Sequence, residues 1–250
     1  MPVSLPNDFT ALQGIAILLL FGMWFSYSIT LTTIARGSLN RQLSVVRKQW
    51  LRLSIHRGQK PFDAILLGHI LNSIAFFGSA TMIVLAGVIT LFVNVRSVHA
   101  TTAQVMLTQS SSLALFVIHV TVVAIILAMS FFSFTYALRK MIYVLALVGA
   151  LPEGKLSAHA SECRDAMVDN AATVLSEALV TFNFGIRGYY YAVAALGLFV
   201  SPWLGIALAL IATFILMYRQ VGTPTSAAVQ NYVDLSRRSM EEAEEPDPKQ

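Results

Sequence analysis

The sequence predicts an all-α integral membrane protein, a helical bundle of four or five transmembrane segments with a basic helix at the membrane interface. Three observations predict it. No charged residue occurs from Phe9 to Ala35. Only 12% of the 250 residues are charged, about half the usual fraction, and 56% are hydrophobic. Three further apolar stretches follow, at about 64–95, 112–138 and 188–217, each at least as long as the roughly 20 residues that a helix needs to cross a bilayer.

The apolar stretches divide the chain into one membrane domain and a tail. We expect spans at residues 9–34, 64–94, 112–138, 172–199 and 203–218. The first stretch has no basic segment before it and no small-residue cleavage site, so we expect a retained anchor. The inner half of this span is rich in Ser, Thr and aromatic residues, so we expect it to face protein. Residues 1–220 then form the membrane domain, and 221–250 form a cytoplasmic tail whose acidic end we expect to be disordered.

The number of spans depends on the apolar region from Gly188 to Met217, which Ser201 and Pro202 interrupt. If this region crosses once, there are four spans and Arg187 lies at the inner interface. If the chain turns at Ser201, there are five spans and Arg187 lies inside the membrane. Ser at the N-cap followed by Pro is a favourable helix start, so we prefer five. A reporter fused after Tyr218 distinguishes the two.

Basic residues predict the orientation of the bundle. Residues 36–60 contain seven Lys or Arg and no acid, whereas residues 94–111 contain only Arg96. Cytoplasmic loops are enriched in Lys and Arg. We therefore expect the N-terminus outside and the first and third connections in the cytoplasm.

The first connection itself has a helical pattern. Apolar residues recur at spacings of 4, 3, 4 and 3, at Leu39, Leu43, Val46, Trp50 and Leu53. Basic residues fall between them. Such a helix lies in the interface against anionic headgroups. The residues that we expect to contact headgroups are Arg41, Arg47, Lys48, Trp50 and Arg52. Because this helix adjoins the bilayer, we do not expect nucleic acid as a partner.

A few polar residues lie inside the predicted spans. Polar groups there are costly and usually functional. Arg187 is the most informative, because a buried guanidinium needs an acceptor. The acceptors open to it are Glu177, Asp63, backbone carbonyls, or an anionic ligand or lipid phosphate. The predicted ligand or lipid contacts are Asn72, Ser79, Asn183, Arg187, Tyr189 and Tyr190.

The sequence contains no pattern typical of catalysis, and we expect no enzymatic activity. Serine-nucleophile motifs, phosphate loops and dinucleotide fingerprints are absent from it. A single cysteine, Cys163, excludes an internal disulfide and Cys-rich metal sites. His69 and His119 are expected in opposite leaflets, too far apart to hold one haem iron. We therefore predict neither a metal nor a cofactor.

Two segments resemble a known family, namely residues 72–87 (NSIAFFGSATMIVLAG) and 181–203 (TFNFGIRGYYYAVAALGLFVSPW). They are similar to a family of bacterial inner-membrane proteins labelled domain of unknown function 599. The resemblance covers most of residues 10–220, and the run from Asn183 to Tyr190 is its most specific part. It implies a multi-span inner-membrane protein, and it supplies no activity. The resemblance places its signature on Asn72, Phe76, Phe77, Ser79, Phe182, Asn183, Arg187, Tyr189, Tyr190 and Pro202.

Two functions follow as hypotheses. The first is an integral membrane protein that binds or transports a small solute, ion or lipid through its intramembrane polar residues. The second is a non-catalytic accessory or assembly subunit of a larger membrane complex. The expected partners are the lipid bilayer with its anionic headgroups, and either further copies of the chain or a larger complex.

Overall fold

The structure, a computed structural model, describes residues 6–34, 38–55, 60–104, 112–152 and 157–244. Within these ranges the regular structure is helical. The helices are α1 (Ala11–Ile34), α2 (Leu39–Ser54), α3 (Lys60–Val93), α4 (Val95–Gln104), α5 (Leu113–Gly149), α6 (Ala158–Leu196), α7 (Pro202–Val221) and α8 (Pro224–Glu244). A single 3-10 turn, Gly197–Phe199, follows α6.

The predicted all-helical fold, with long apolar helices that could cross a membrane, is confirmed. Four helical segments of the described chain are long and apolar enough to cross a membrane: α1, α3, α5 and the segment that begins with α7. Helix α6 is not among them, since Arg187, Asn183 and three tyrosines dilute its apolar half. Each of the five predicted spans overlaps a helix, but α5 continues past Arg139 and Lys140 to Gly149, and α6 begins at Ala158, well before the predicted 172. The number of membrane crossings stays a prediction.

Helices α5 and α6 form an antiparallel pair at the centre of the bundle. Phe134 of α5 lies over Gly185 of α6, and Ser130 lies over Gly188. Farther along, Lys140 Nζ donates to Thr181 Oγ1 at 2.8 Å. Because both glycines lack a side chain, the two helices approach closely along this line.

Helices α1 and α7 flank α6 on its other side and run parallel to each other. Tyr27 near the end of α1 donates to the Leu216 carbonyl near the end of α7, at 3.0 Å. The chain reverses between α6 and α7 at Ser201, whose hydroxyl accepts from Leu204 N, with Pro202 in the first turn. The helix start predicted at Ser201-Pro202 is therefore confirmed.

The starts of α1, α5 and α7 lie at one end of the bundle. The Asp8 carboxylate accepts from the backbone N–H and the hydroxyl of Ser112, the N-cap of α5. Phe199, just before α7, packs edge-on against Phe116 of α5 at 5.3 Å between ring centres. Helix α6 therefore runs the length of the bundle to connect the far end of α5 with the near end of α7.

The opposite end of the bundle holds α2 and α8. The predicted basic helix is present as α2, and it packs against the first half of α6. Helix α8 lies on α2, with Val233 buried. The segment predicted as a tail thus begins with a helix. The predicted disorder at the end of the tail falls partly on residues 245–250, which lie outside the described residues.

Candidate functional site around a buried arginine

Arg187 lies between α1, α6 and α7 and is only 7% exposed. Its guanidinium carbon is 4.7 Å from the centre of the Tyr27 ring and 5.6 Å from that of Phe184. An arginine over an aromatic face is stabilised by the ring quadrupole. Helix α6 brings Phe184 and Arg187 together because they are one turn apart, whereas Tyr27 comes from α1.

The two acidic residues that were open as partners of Arg187 have other partners. Glu177 lies 3.6 Å from Lys140 Nζ, and Asp63 accepts a hydrogen bond from Trp50 Nε1 at 2.7 Å. Within the described part of the chain, Arg187 makes neither an ion pair nor a hydrogen bond. Its Nε is fully buried without an acceptor. Neither Glu177 nor Asp63 is therefore the acceptor of Arg187, and no other acceptor for it lies among the described residues.

The contacts of Arg187 compensate only part of the cost of burying its charge. Burying an unpaired charge costs several kcal/mol even after relaxation. A desolvated cation–π contact returns about 2 kcal/mol. The Tyr27 and Phe184 rings therefore offset only part of the cost, and an anionic oxygen would satisfy the donors that remain.

The arginine lies near one end of the bundle. Its ring partner, Tyr27, bonds to Leu216, which precedes Arg219 by three residues, or about 4.5 Å along the helix. Arg219 is in the last turn of α7. Arg187 is thus about one helical turn inward from the basic end of α7.

Two amide contacts lie on the same side of the bundle. Asn183 Nδ2 donates to Asn40 Oδ1 at 3.2 Å, and the Asn40 backbone N–H donates to Gln220 Oε1 at 3.2 Å. Asn183 is one turn before Arg187 on α6. These contacts connect the start of α2 to α6, which carries the arginine, and to the end of α7.

The tyrosines next to Arg187 point to three different neighbours. Tyr189 contacts α3, where its hydroxyl bonds to Thr81 and donates to the Phe77 carbonyl. Tyr190 accepts a hydrogen bond from Arg219 at 2.6 Å. Tyr191 is buried and bonds to Thr213 at 2.8 Å. The structure therefore does not gather the predicted Tyr189 and Tyr190 around Arg187; they connect α6 to α3 and α7.

Asn72 and Ser79, the other predicted contacts, lie on the exposed side of α3. No hydrogen bond joins either of them to Arg187 within the described part of the chain. Of the predicted set, Arg187 and Asn183 share one region and the rest do not. Their roles in ligand or lipid binding stay predictions.

The basic residues of α2 have partners within the protein. Lys48 and Arg52 both bind Asp169 of α6, at 2.9 and 2.7 Å. Arg47 donates to Ser176 at 3.2 Å. The hydrogen bond from Arg52 holds the pKa of the Asp169 carboxyl below its usual value, and Lys48 adds to the effect. Whether these residues, with Arg41, also contact headgroups stays a prediction.

Sequence reasoning missed the residues of α1 that complete the site. Trp24 is fully buried and stacks on Phe184 at 4.9 Å between ring centres, and Tyr27 is 2% exposed. The signal available was the aromatic inner half of the first span, which was predicted to face protein. One face of that half, with Trp24, Tyr27 and Leu31, is buried against protein, whereas Phe25 and Ile29 are exposed. Nothing in the sequence pairs Tyr27 with Arg187.

The fold and the site together define a multi-helix membrane protein with an unpaired arginine buried near one end of its bundle. The family model described as "Protein of unknown function, DUF599" matches residues 15–225, and the chain belongs to that family. No curated protein matches the chain, and no solved structure does.

Proposed function

We propose that this protein is a multi-pass inner-membrane protein that binds an anionic group, a phosphate or a carboxylate, at Arg187. The observation that carries the proposal is an arginine that is only 7% exposed, whose Nε is fully buried and which has neither an acid nor a hydrogen-bond acceptor among the described residues. The same chemistry is offered by an anionic lipid headgroup and by a free anion. The depth of Arg187, about one turn from the basic end of α7, suits either source.

Five membrane crossings follow from the same proposal. The starts of α5 and α7 lie at one end, so if both cross, α6 crosses between them in the opposite direction. Helix α6 has 39 residues, about 58 Å at 1.5 Å per residue, which is ample. The end with α2, Lys140 and Arg219 is the basic one, which supports placing it in the cytoplasm.

Native mass spectrometry of the detergent-purified protein tests the anion site. The protein is titrated in separate arms with phosphatidylglycerol, phosphatidylcholine and inorganic phosphate. We expect a tightly bound adduct in the phosphatidylglycerol arm if the anion is a headgroup, and in the phosphate arm if it is a free anion. In either case Arg187→Gln should lose that adduct.

Arg139→Gln is the matched control. Arg139 is exposed on α5 and donates to the Tyr143 hydroxyl, so its loss removes the same charge from the surface. Equal adducts in wild type, Arg187→Gln and Arg139→Gln, with all three folded, would contradict the proposal. Equal losses in both variants would reduce it to general surface electrostatics.

Thiol labelling in intact cells tests the crossings. Cys163 is exposed in the first turns of α6 and should be hidden from a membrane-impermeant maleimide until cells are opened. In a Cys163→Ser background, Trp203→Cys at the exposed start of α7 should be labelled from outside. Labelling of both positions from the same side would contradict the five-crossing arrangement.

The accessory-subunit function competes with this proposal. It predicts that a second protein of fixed stoichiometry co-purifies with the chain and that Arg187→Gln releases it without any change in lipid or phosphate adducts. The mass spectra described above record that partner directly.

A further inference from the structure

An apolar groove runs along the outside of the bundle between α6 and α7. It has a volume of about 290 Å³, and its lining includes the buried side chains of Ala194 and Ala212. The exposed side chains of Val193, Ile211 and Ile215 line it as well. Because the two buried residues are alanines, the groove has room for a narrow apolar chain.

An arginine lies at the basic end of this groove. Arg219 comes one helical turn after Ile215 and is therefore on the same face of α7. Its guanidinium donates across to the hydroxyl of Tyr190, a lining residue on α6, at 2.6 Å. The Arg219 side chain thus connects the two helices where the groove ends.

Most of the hydrogen-bond donors of Arg219 are unused. A guanidinium carries five N–H groups. Among the described residues, the Arg219 side chain makes its hydrogen bond to Tyr190 and no ion pair, and it is exposed. An anionic oxygen can therefore bind Arg219 without displacing the tyrosine.

The length of the groove matches the thickness of one leaflet. Leu208 is the lining residue of α7 farthest from Arg219, and the eleven residues between these positions correspond to about 16 Å of helix. Half of a hydrocarbon core of roughly 30 Å is about 15 Å. An acyl chain with its headgroup at Arg219 would therefore end near the middle of the bilayer, where the groove also ends.

We infer that this groove binds one anionic phospholipid from the leaflet at the basic end, with an acyl chain between α6 and α7 and the phosphate at Arg219. Arginine pairs favourably with phosphate oxygens. A headgroup without an amine suits this position, because Lys140 and the basic residues of α2 lie at the same end. The inference rests on the proposed function only in that α6 and α7 cross the bilayer. Arg187 is not part of this site, since it contacts Tyr27 of α1.

A photoactivatable lipid tests the inference. The purified protein is reconstituted in phosphatidylcholine vesicles that contain a small fraction of phosphatidylglycerol with a diazirine on one acyl chain. Peptide mass spectrometry then locates the labelled residues. We expect strong labelling at Val193, Ile211 and Ile215. Phe214 is 70% exposed on α7 but does not line the groove, and it should show only background labelling.

Two arginine variants test the headgroup contact. Arg219→Gln should lower labelling of the groove about fivefold and leave that of Phe214 unchanged. Arg139→Gln is the matched control, because Arg139 is also exposed and also donates to a tyrosine hydroxyl, that of Tyr143. It should leave labelling of the groove intact.

Val193→Trp tests the acyl-chain contact. The larger side chain should fill the groove from its exposed wall while Arg219 stays in place. Labelling at Ile211 and Ile215 should therefore fall.

Three outcomes, each with the protein folded, would overturn the inference. These are equal labelling of the groove and Phe214, unchanged labelling in Arg219→Gln, and equal labelling of the groove when phosphatidylcholine carries the diazirine. The first would make the groove ordinary lipid-facing surface, and the other two would show that Arg219 does not select the headgroup.

The two binding sites fail separately. Arg187→Gln should leave labelling of the groove intact, and Arg219→Gln should leave the adduct that depends on Arg187. The thiol labelling described above tests the membrane crossings by themselves. Failure of this inference is therefore distinguishable from failure of the proposed function.

Discussion

Tyr27 contacts Arg187 with its ring and the end of α7 with its hydroxyl. Its ring lies 4.7 Å from the guanidinium carbon, and its hydroxyl donates to the Leu216 carbonyl at 3.0 Å. One side chain therefore links α1, α6 and α7 at the level of the buried charge. We expect the hydroxyl bond to contribute to the stability of the bundle and the ring contact to contribute to the anion affinity of the site.

Two variants of Tyr27 separate these effects. Tyr27→Phe keeps the ring and removes one hydrogen bond, so unfolding should become easier by about 1 kcal/mol with little change in anion binding. Tyr27→Leu also removes the cation–π contact and should weaken binding as well. Thermal unfolding in detergent and the adduct titration measure the two quantities. Identical binding by both variants would show that the ring does not support the arginine.

Gly188 should not tolerate a side chain. A methyl group there would collide with Ser130 Oγ and lie 3.1 Å from Trp24 Cζ2. Overpacking of this kind costs about 1–3 kcal/mol, so Gly188→Ala should lower the unfolding midpoint. Adding Ser130→Ala should restore part of it, since the nearest atom is then gone.

Gly87→Ala provides the control for that substitution. The space around the Gly87 Cβ position is open for at least 4 Å. Alanine is also the better helix former, so we expect no loss of stability. A similar loss for Gly87→Ala and Gly188→Ala would contradict the close-packing explanation.

Asp169 should make the junction of α2 and α6 sensitive to acid. Its pKa is below the ordinary value of 3.8 in the folded protein, chiefly because Arg52 donates to it. The stabilisation is therefore complete above that ordinary value and is lost as the pH falls through the lower, folded value. Asp169→Asn should lower the unfolding midpoint at pH 7, and the difference from wild type should vanish at acidic pH.

The contribution of Asp169 to stability should be small, because the ion pair is partly exposed. The Asp169 side chain is 31% exposed and Arg52 51%, so the contribution should stay below about 1 kcal/mol and weaken in salt. Asp234→Asn on the exposed face of α8 should change little. If the Asp169→Asn difference is the same at pH 7 and at a pH where the Asp169 carboxyl is protonated in the folded protein, the ion pair is not its cause.

The amide pair Asn40–Asn183 should couple α2 to α6. A double-mutant cycle with Asn40→Ala and Asn183→Ala should give a coupling energy of about 0.5–1.5 kcal/mol in thermal unfolding. Additive losses would show that the 3.2 Å contact contributes nothing to stability.

Several elements were predictable from local patterns. The uncharged run from Phe9 to Ala35 predicts α1 because a helix is the way for a single segment to satisfy its backbone in lipid. Ser201 and Pro202 predict the start of α7 because capping is decided by neighbouring residues. The 4, 3 spacing from Leu39 to Leu53 predicts α2 for the same reason.

The partners of the polar residues were not predictable in this way. The sequence places seven basic residues together but does not indicate that Lys48 and Arg52 reach Asp169, which lies more than a hundred residues away. Likewise, the third span was predicted to end at 138, yet α5 continues to Gly149, and its Lys140 bonds to Thr181 and lies 3.6 Å from Glu177.

Arg187 shows most clearly what the sequence determines and what only the tertiary structure decides. Its position among apolar residues is enough to say that it needs an acceptor, because burying a charge is unfavourable wherever it occurs. Which acceptors it can reach depends on distances in the folded protein. Glu177 lies beside Lys140, and Asp63 bonds to Trp50. The Tyr27 ring from α1 contacts Arg187 instead. Hydrophobicity and capping act between neighbours and can be deduced from the chain, whereas the pairing of buried charges is decided only when the helices pack.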